Sequence, residues 1–196
     1  MSARVLLVHG LWMRAPALYY WKNKLSKAGF AVEYFSYKSM LQSPEQAFAH
    51  LREVALAKPN THILAHSLGG LIAVNALACS EFNGQIICVG TPLRGSEVAR
   101  QLAIKHVGKL AGRSLPLLCQ GIVQIPKGLQ VSAIAGIAPH GLGRLMHRFT
   151  EPNDGTVMLS ETQVDGLASH LTVNASHSGQ LVSHEVMNAV LAILGK

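Results

Sequence analysis

Charge is scarce in this chain. Asp, Glu, Lys and Arg make up 14% of its 196 residues, and aspartate occurs only as Asp154 and Asp165. With 49% hydrophobic residues, so little charge excludes a disordered chain and predicts a globular one. No apolar run approaches the roughly eighteen residues that a membrane-spanning helix needs, which excludes an integral helical membrane protein. The net charge of +7 is spread along the chain and forms no block, which argues against a nucleic-acid-binding tail. Cys79, Cys88 and Cys119 are odd in number and form no C-x-x-C pair, so they read as reduced core residues and not as a disulfide framework or zinc site. The apolar stretch Val5–Val8 is too short for the core of a signal peptide, and the chain reads as cytoplasmic. Repeats and low-complexity tracts are also missing.

Short apolar runs alternate with helical stretches along the sequence. Strands are expected at Val5–Val8, Ala31–Tyr37, His62–Ala65, Ile86–Val89, Val131–Ile137 and Leu171–Ala175. Helices are expected at Pro16–Ala28, from Pro44 (with Ser43 as N-cap) to Ala57, at Leu68–Cys79 and at His184–Leu194. Strands apolar throughout and separated by helices predict a mostly parallel sheet with helices on both faces, a three-layer α/β domain over residues 1–196. About forty residues between Val89 and Val131 break the rhythm. They predict a small cap or lid insertion at about 96–130.

The segment His62 to Leu71 reads strand, sharp turn, helix, with Ser67 at the turn. A nucleophilic serine needs that setting, and the residues two before and two after it must be small. Here they are Ala65 and Gly69, an A-x-S-x-G variant of the G-x-S-x-G elbow. The helix that follows directs its free N–H groups at the site, where they favour a developing oxyanion. His66 adjoins Ser67, but neighbours at such a turn point apart, so it reads as a packing or wall residue. An oxyanion needs two donors. One is the N–H of Leu68, and the other comes from the loop after the first strand, with Leu11 preferred and Trp12 second. His9 reads as a structural histidine in that loop.

A serine needs a base, and the base an orienting acid. In this architecture they follow the serine in the order acid, then histidine. Of ten histidines, His177 lies after the last strand and before the closing helix. His170 precedes that strand, and His184 enters the helix. The acid should follow the penultimate strand. Asp154, in the turn Glu151-Pro152-Asn153-Asp154-Gly155, satisfies the order, and Glu151 and Asp165 compete with it.

These residues resemble the α/β-hydrolase superfamily, and the chain looks like a small bacterial lipase/esterase-like member. The resemblance runs from Val5 to Leu194. It rests on Val8-His9-Gly10-Leu11, Ala65-His66-Ser67-Leu68-Gly69-Gly70, Gly90-Thr91-Pro92, Asn153-Asp154-Gly155-Thr156-Val157 and Ser176-His177-Ser178-Gly179. It implies Ser67 as nucleophile, Asp154 as acid and His177 as base. The expected reaction is hydrolysis of a carboxylic ester or thioester through an acyl-enzyme, with no metal or organic cofactor. An acyltransferase, or a silent acyl- or lipid-binding module on the same fold, is the alternative.

Between Arg94 and Lys127 stand six Lys and Arg against Glu97 alone. A basic cap of this kind favours an anionic partner: an acyl-CoA, an acyl-carrier protein or a phospholipid head. The reading of the same cations as a solvated helix face stands beside it.

Overall fold

Six short runs, the inner four largely apolar and buried, form the middle layer of the molecule. In the computed structural model, which describes residues 2–140 and 149–195, they are β1 (Arg4–Val8), β2 (Ala31–Phe35), β3 (Thr61–His66), β4 (Gln85–Val89), β5 (Gln130–Gly136) and β6 (Ser169–Val173). They make one six-stranded sheet in the order β2-β1-β3-β4-β5-β6. Every neighbouring pair is parallel, so the sheet is wholly parallel among the described residues.

Alternation along each strand decides which layer a residue feeds. Val5 and Leu7 face one side with Leu64 and Ile87, where α1 (Tyr19–Lys27) adds Trp21 and Leu25 and α6 (His184–Ile193) adds Val186, Met187 and Val190. Leu6 and Val8 face the other with Ile63 and Ile86, where α2 (Pro44–Leu56) adds Leu51 and α3 (Leu68–Leu77) adds Leu71 and Ile72. Each such side chain contributes about 1.5–3 kcal/mol on burial, which is why the strands are apolar on both faces.

The elements sit where the sequence places them, with shifts at their ends that have local causes. β1 starts one residue early because Arg4 is held inside the structure. Its guanidinium donates to the Val54 carbonyl at 2.9 Å and pairs with Glu33 at 2.7 Å. The first helix opens as a 3-10 turn, Ala15–Leu18, and becomes α-helical only at Tyr19. α2 carries its full capping box, Ser43 and Gln46 each bonding the other's backbone N–H. α3 ends two residues early, at Leu77, where Ala78 turns extended and Cys79 takes a φ of 58°. Cys79 is exposed, so only Cys88 is a fully buried cysteine, contrary to the expectation of three core thiols. β6 begins at Ser169, so His170 lies within the strand and not before it.

Between β4 and β5 the chain forms α4 (Glu97–Ile104), two 3-10 turns (Gly108–Leu110 and Gly112–Ser114) and α5 (Leu115–Gln120). Hydrogen bonds stitch this segment to the loops at the carboxyl ends of the first two strands. The N–H of Arg113 donates to the Met40 carbonyl at 2.9 Å, and the Ser114 hydroxyl to the Ser39 carbonyl at 2.6 Å. The indole of Trp12 donates to the Leu110 carbonyl at 2.6 Å. The buried Glu161 carboxylate takes the N–H of Glu97 and that of Met158, joining the start of α4 to the segment after β5. Burial pushes its pKa up to about 7, against the pull of those two N–H groups.

Candidate active site

The strand order fixes where a site can form. From β1 the chain goes to β2 on one side, while β3 lies on the other, so the loops leaving β1 and β3 diverge and open a crevice at their carboxyl ends. Gly10 follows β1 and Ser67 follows β3. A methyl group added at Gly10 would stand 3.0 Å from the Ser67 Cβ, so the two loops touch across that crevice.

Ser67 sits at φ 54°, ψ −124°, a conformation that costs an L-residue about 1–3 kcal/mol. The surroundings hold it there. Its N–H donates to the Val89 carbonyl at 2.9 Å. Its own carbonyl accepts from Gly70 N–H at 3.0 Å and from the Thr91 hydroxyl at 2.9 Å. The glycines after it are required by contact. A Cβ at Gly69 would lie 2.7 Å from the Val8 and His9 carbonyl oxygens, and one at Gly70 would lie 2.2 Å from Thr91 Oγ1. Ser67 is therefore raised on a strained turn while α3 packs hard against the end of β1.

Three side chains predicted from sequence lie in one line. His177 Nδ1 is 2.7 Å from Asp154 Oδ2, and His177 Nε2 is 3.1 Å from Ser67 Oγ. An ionised carboxylate only accepts, so Nδ1 carries the proton and Nε2 presents a lone pair to the serine hydroxyl. The backbone repeats the link, because His177 N–H donates to the Asp154 carbonyl at 2.8 Å.

Asp154 is almost fully buried, and its carboxylate is surrounded by donors. Oδ1 accepts from the N–H of Thr156 at 2.9 Å and of Val157 at 2.7 Å. Oδ2 accepts from His177 and from the Gln180 side-chain amide at 2.8 Å. Burial pushes the pKa up, but the attraction of His177 and the hydrogen bonds outweigh it, and the group stays below the ordinary aspartate value. The competing acids lie elsewhere. Glu151 accepts from the Ser160 hydroxyl, and Asp165 is exposed beside Ile125.

Two residues around this line go beyond what the sequence predicts. Gln180 is wholly buried, and nothing in its type or spacing marks it as a partner of Asp154. His66 does form a wall, as its position predicts, but it also touches the candidate base. Its Nε2–H donates to the His177 carbonyl at 3.0 Å, and the two rings lie 4.7 Å apart between centroids. Burial, then the nearby His177, pull its pKa down to about 3, so the imidazole is neutral. Its Nδ1 is buried and has no partner among the described residues. Thr91, which the sequence marks only as part of the Gly90-Thr91-Pro92 segment, braces the serine turn.

Leu11 and Leu68 flank the crevice from the β1 loop and from the first position of α3. Among the described residues neither N–H is engaged in a hydrogen bond. Trp12 is exposed and takes a φ of 58°, and His9 donates from Nδ1 to the Gly10 carbonyl at 2.9 Å. Two cavities, of about 870 and 400 Å³, lie at the amino end of the sheet and between α2 and α5, and neither borders Ser67.

The fold is that of the α/β hydrolases. The chain is similar to the mature form of lipase BlEst2 from Bacillus licheniformis, with a TM-score of 0.77 and 17% identity over 98% of this chain and 91% of the lipase. It is similar to phospholipase PlaB from Legionella pneumophila, with a TM-score of 0.68 and 14% identity over all of this chain, which spans 60% of the phospholipase. It also resembles a methylesterase protein from Arabidopsis, with a TM-score of 0.63 and 11% identity over 98% of this chain and 99% of the other. No protein-family model and no curated protein matches its sequence. At these identities the likeness shows a shared α/β-hydrolase fold.

Proposed function

We propose that the chain is a serine hydrolase that cleaves carboxylic esters or thioesters through an acyl-enzyme. The observation that carries this reading is the hydrogen-bonded line from Ser67 through His177 to Asp154, set in the crevice between the β1 and β3 loops. His177 Nε2 takes the proton of Ser67 Oγ as the oxygen attacks the acyl carbonyl. The N–H groups of Leu68 and Leu11 hold the resulting oxyanion. His177 then gives its proton to the departing alkoxide or thiolate, leaving Ser67 acylated. Water, deprotonated by His177, adds to that ester, and the acid leaves as the proton returns to Ser67. Asp154 holds the tautomer that makes each step possible.

The insertion at about 96–130 serves as a small cap beside the site, and its cations favour an anionic acyl substrate. The unpaired thiols of Cys79, Cys88 and Cys119 support a cytoplasmic, reducing setting.

The test is hydrolysis of p-nitrophenyl esters from acetyl to long acyl by wild type and Ser67→Ala, with a serine-directed phosphonate as probe. The expected result is hydrolysis and labelling that both vanish in the variant. Labelling with turnover only when an alcohol or thiol is added would make the protein an acyltransferase. A folded wild type that neither labels nor turns over would make it a silent binding module.

A further inference from the structure

The chain's charge is not spread over the molecule as it is over the sequence. Residues 9–18, 36–43 and 90–121 leave the carboxyl ends of β1, β2 and β4. Together they hold seven Lys and Arg and a single acid, Glu97. Glu97 is itself paired with Arg100 at 3.5 Å. These three segments therefore carry +6 of the chain's +7, while residues 137–168, which follow β5 at the same end, bring four acids and two arginines.

The same segments expose their largest apolar side chains. Trp12 is 58% exposed, Leu41 73% and Ile104 66%, with Val107 and Leu110 exposed beside them. Hydrogen bonds group them. The Trp12 indole is tied to the Leu110 carbonyl. The carbonyl of Met40, next to Leu41, holds Arg113. Exposed apolar residues scattered singly are ordinary, but a cluster at one end with cations between them is an interaction surface. In Ile104-Lys105-His106-Val107-Gly108-Lys109-Leu110 the two kinds alternate. Trp12 adds a specific sign. It holds a bulky side chain at a φ of 58°, a costly backbone, and the result is a ring that faces solvent while its N–H is satisfied internally. A tryptophan with an apolar body outward suits the boundary between lipid and water.

We propose that this end of the molecule docks on an anionic phospholipid bilayer, with Trp12 and the Ile104–Leu110 stretch entering the headgroup boundary and Lys105, Lys109 and Arg113 pairing with lipid charge. An acidic carrier protein would answer the charge but leaves the exposed ring and aliphatic side chains unexplained. Docking brings the crevice that holds Ser67 to the lipid surface, so the proposal rests on the reading of that crevice as the active site. It is tested without turnover, so the two can fail separately.

The chain has two tryptophans, and the second, Trp21, is fully buried. A change in emission on adding vesicles therefore reports Trp12. The Ser67→Ala protein is mixed with vesicles of phosphatidylcholine alone or with added phosphatidylglycerol, followed by sedimentation and by tryptophan emission. Binding is expected only to the anionic vesicles, with a blue shift and quenching by brominated acyl chains. Lys105→Gln and Lys109→Gln should each weaken it by about fivefold, as expected for one cation at a charged surface. Trp12→Ala should weaken it at high as well as at low salt, because its contribution is not screened. The unfolding midpoint of each variant is compared with wild type, so that loss of binding is scored only for folded protein. Equal binding to neutral vesicles, no vesicle binding, unchanged emission, or binding of an acidic carrier protein in place of vesicles would overturn the proposal.

Discussion

Replacing Asp154 by asparagine changes one acceptor oxygen into a donor and removes one charge. Oδ1 can still take the N–H groups of Thr156 and Val157, which lie 2.9 and 2.7 Å away. The new amide nitrogen then falls where Oδ2 was, facing the His177 Nδ1–H at 2.7 Å and the Gln180 amide nitrogen at 2.8 Å. Gln180 can respond by rotating its amide, because its Oε1 has no partner among the described residues. His177 can respond only by moving its proton from Nδ1 to Nε2. The Nε2 that stands 3.1 Å from Ser67 Oγ is then a donor and cannot take the serine proton. Trapping a catalytic histidine in the wrong tautomer costs about 10⁴-fold in kcat, or about 5 kcal/mol. Stability should fall much less, by about 1–2 kcal/mol, because the hydrogen bonds are re-formed and only their charge assistance is lost. The assay is kcat on p-nitrophenyl acetate for wild type and Asp154→Asn, with the urea unfolding midpoint of each. A folded variant that keeps more than a tenth of the activity would refute the assignment of Asp154 as the acid.

Two further outcomes follow from the packing around the line. Gly10→Ala should lower kcat by roughly tenfold and cost about 1 kcal/mol, because the added methyl meets Ser67 Cβ at 3.0 Å and His66 Nδ1 and Met13 Sδ at 3.2 Å; unchanged kcat with unchanged stability would show that the loop gives way freely. His66 binds a proton only near pH 3 when folded but near pH 6.5 when unfolded. Below pH 6.5 the unfolded chain therefore takes up a proton that the native state refuses, and stability falls as pH falls, by about 2 kcal/mol at pH 5. His66→Gln removes that dependence while keeping a donor for the His177 carbonyl, so urea unfolding at pH 7.5 and pH 5 should show a smaller acid loss than wild type; an equal loss in both would place the linkage elsewhere.

Most of the fold is legible in the sequence because strands buried on both faces must be largely apolar, and the four inner strands are short runs that the eye finds without help from periodicity. The ends are less legible, and polar residues are the reason. Arg4 opens β1 because Glu33 and the Val54 carbonyl receive its guanidinium, and both come from other parts of the chain. Ser169 opens β6 because its hydroxyl donates to that of Ser132 on β5, at 2.9 Å. β6 lies at the sheet's edge, where Leu171 and Thr172 are exposed, so an apolar run is a poor guide to its length.

The same limit explains the candidate site. Ser67 is legible because its constraint is local: a strained turn, Ala65 before it and Gly69 after it. His177 and Asp154 are legible by chain order, since a parallel sheet delivers successive loops to one end. Gln180 and His66 are not, because what gives them meaning is a partner at a distance that sequence does not report: Asp154 is 26 positions from Gln180, and His177 is 111 from His66. Each also has one buried polar atom with no partner among the described residues, Gln180 Oε1 and His66 Nδ1. Such an atom costs about 1–3 kcal/mol. Leucine at either position would avoid that cost and still fill space. Keeping the polar side chains makes sense only if the other half of each contributes more: Gln180 by holding the Asp154 carboxylate, and His66 by fixing the His177 main chain from behind. The stiffness of the Ser67–His177–Asp154 line thus rests on side chains whose value is visible only after the chain has folded around them.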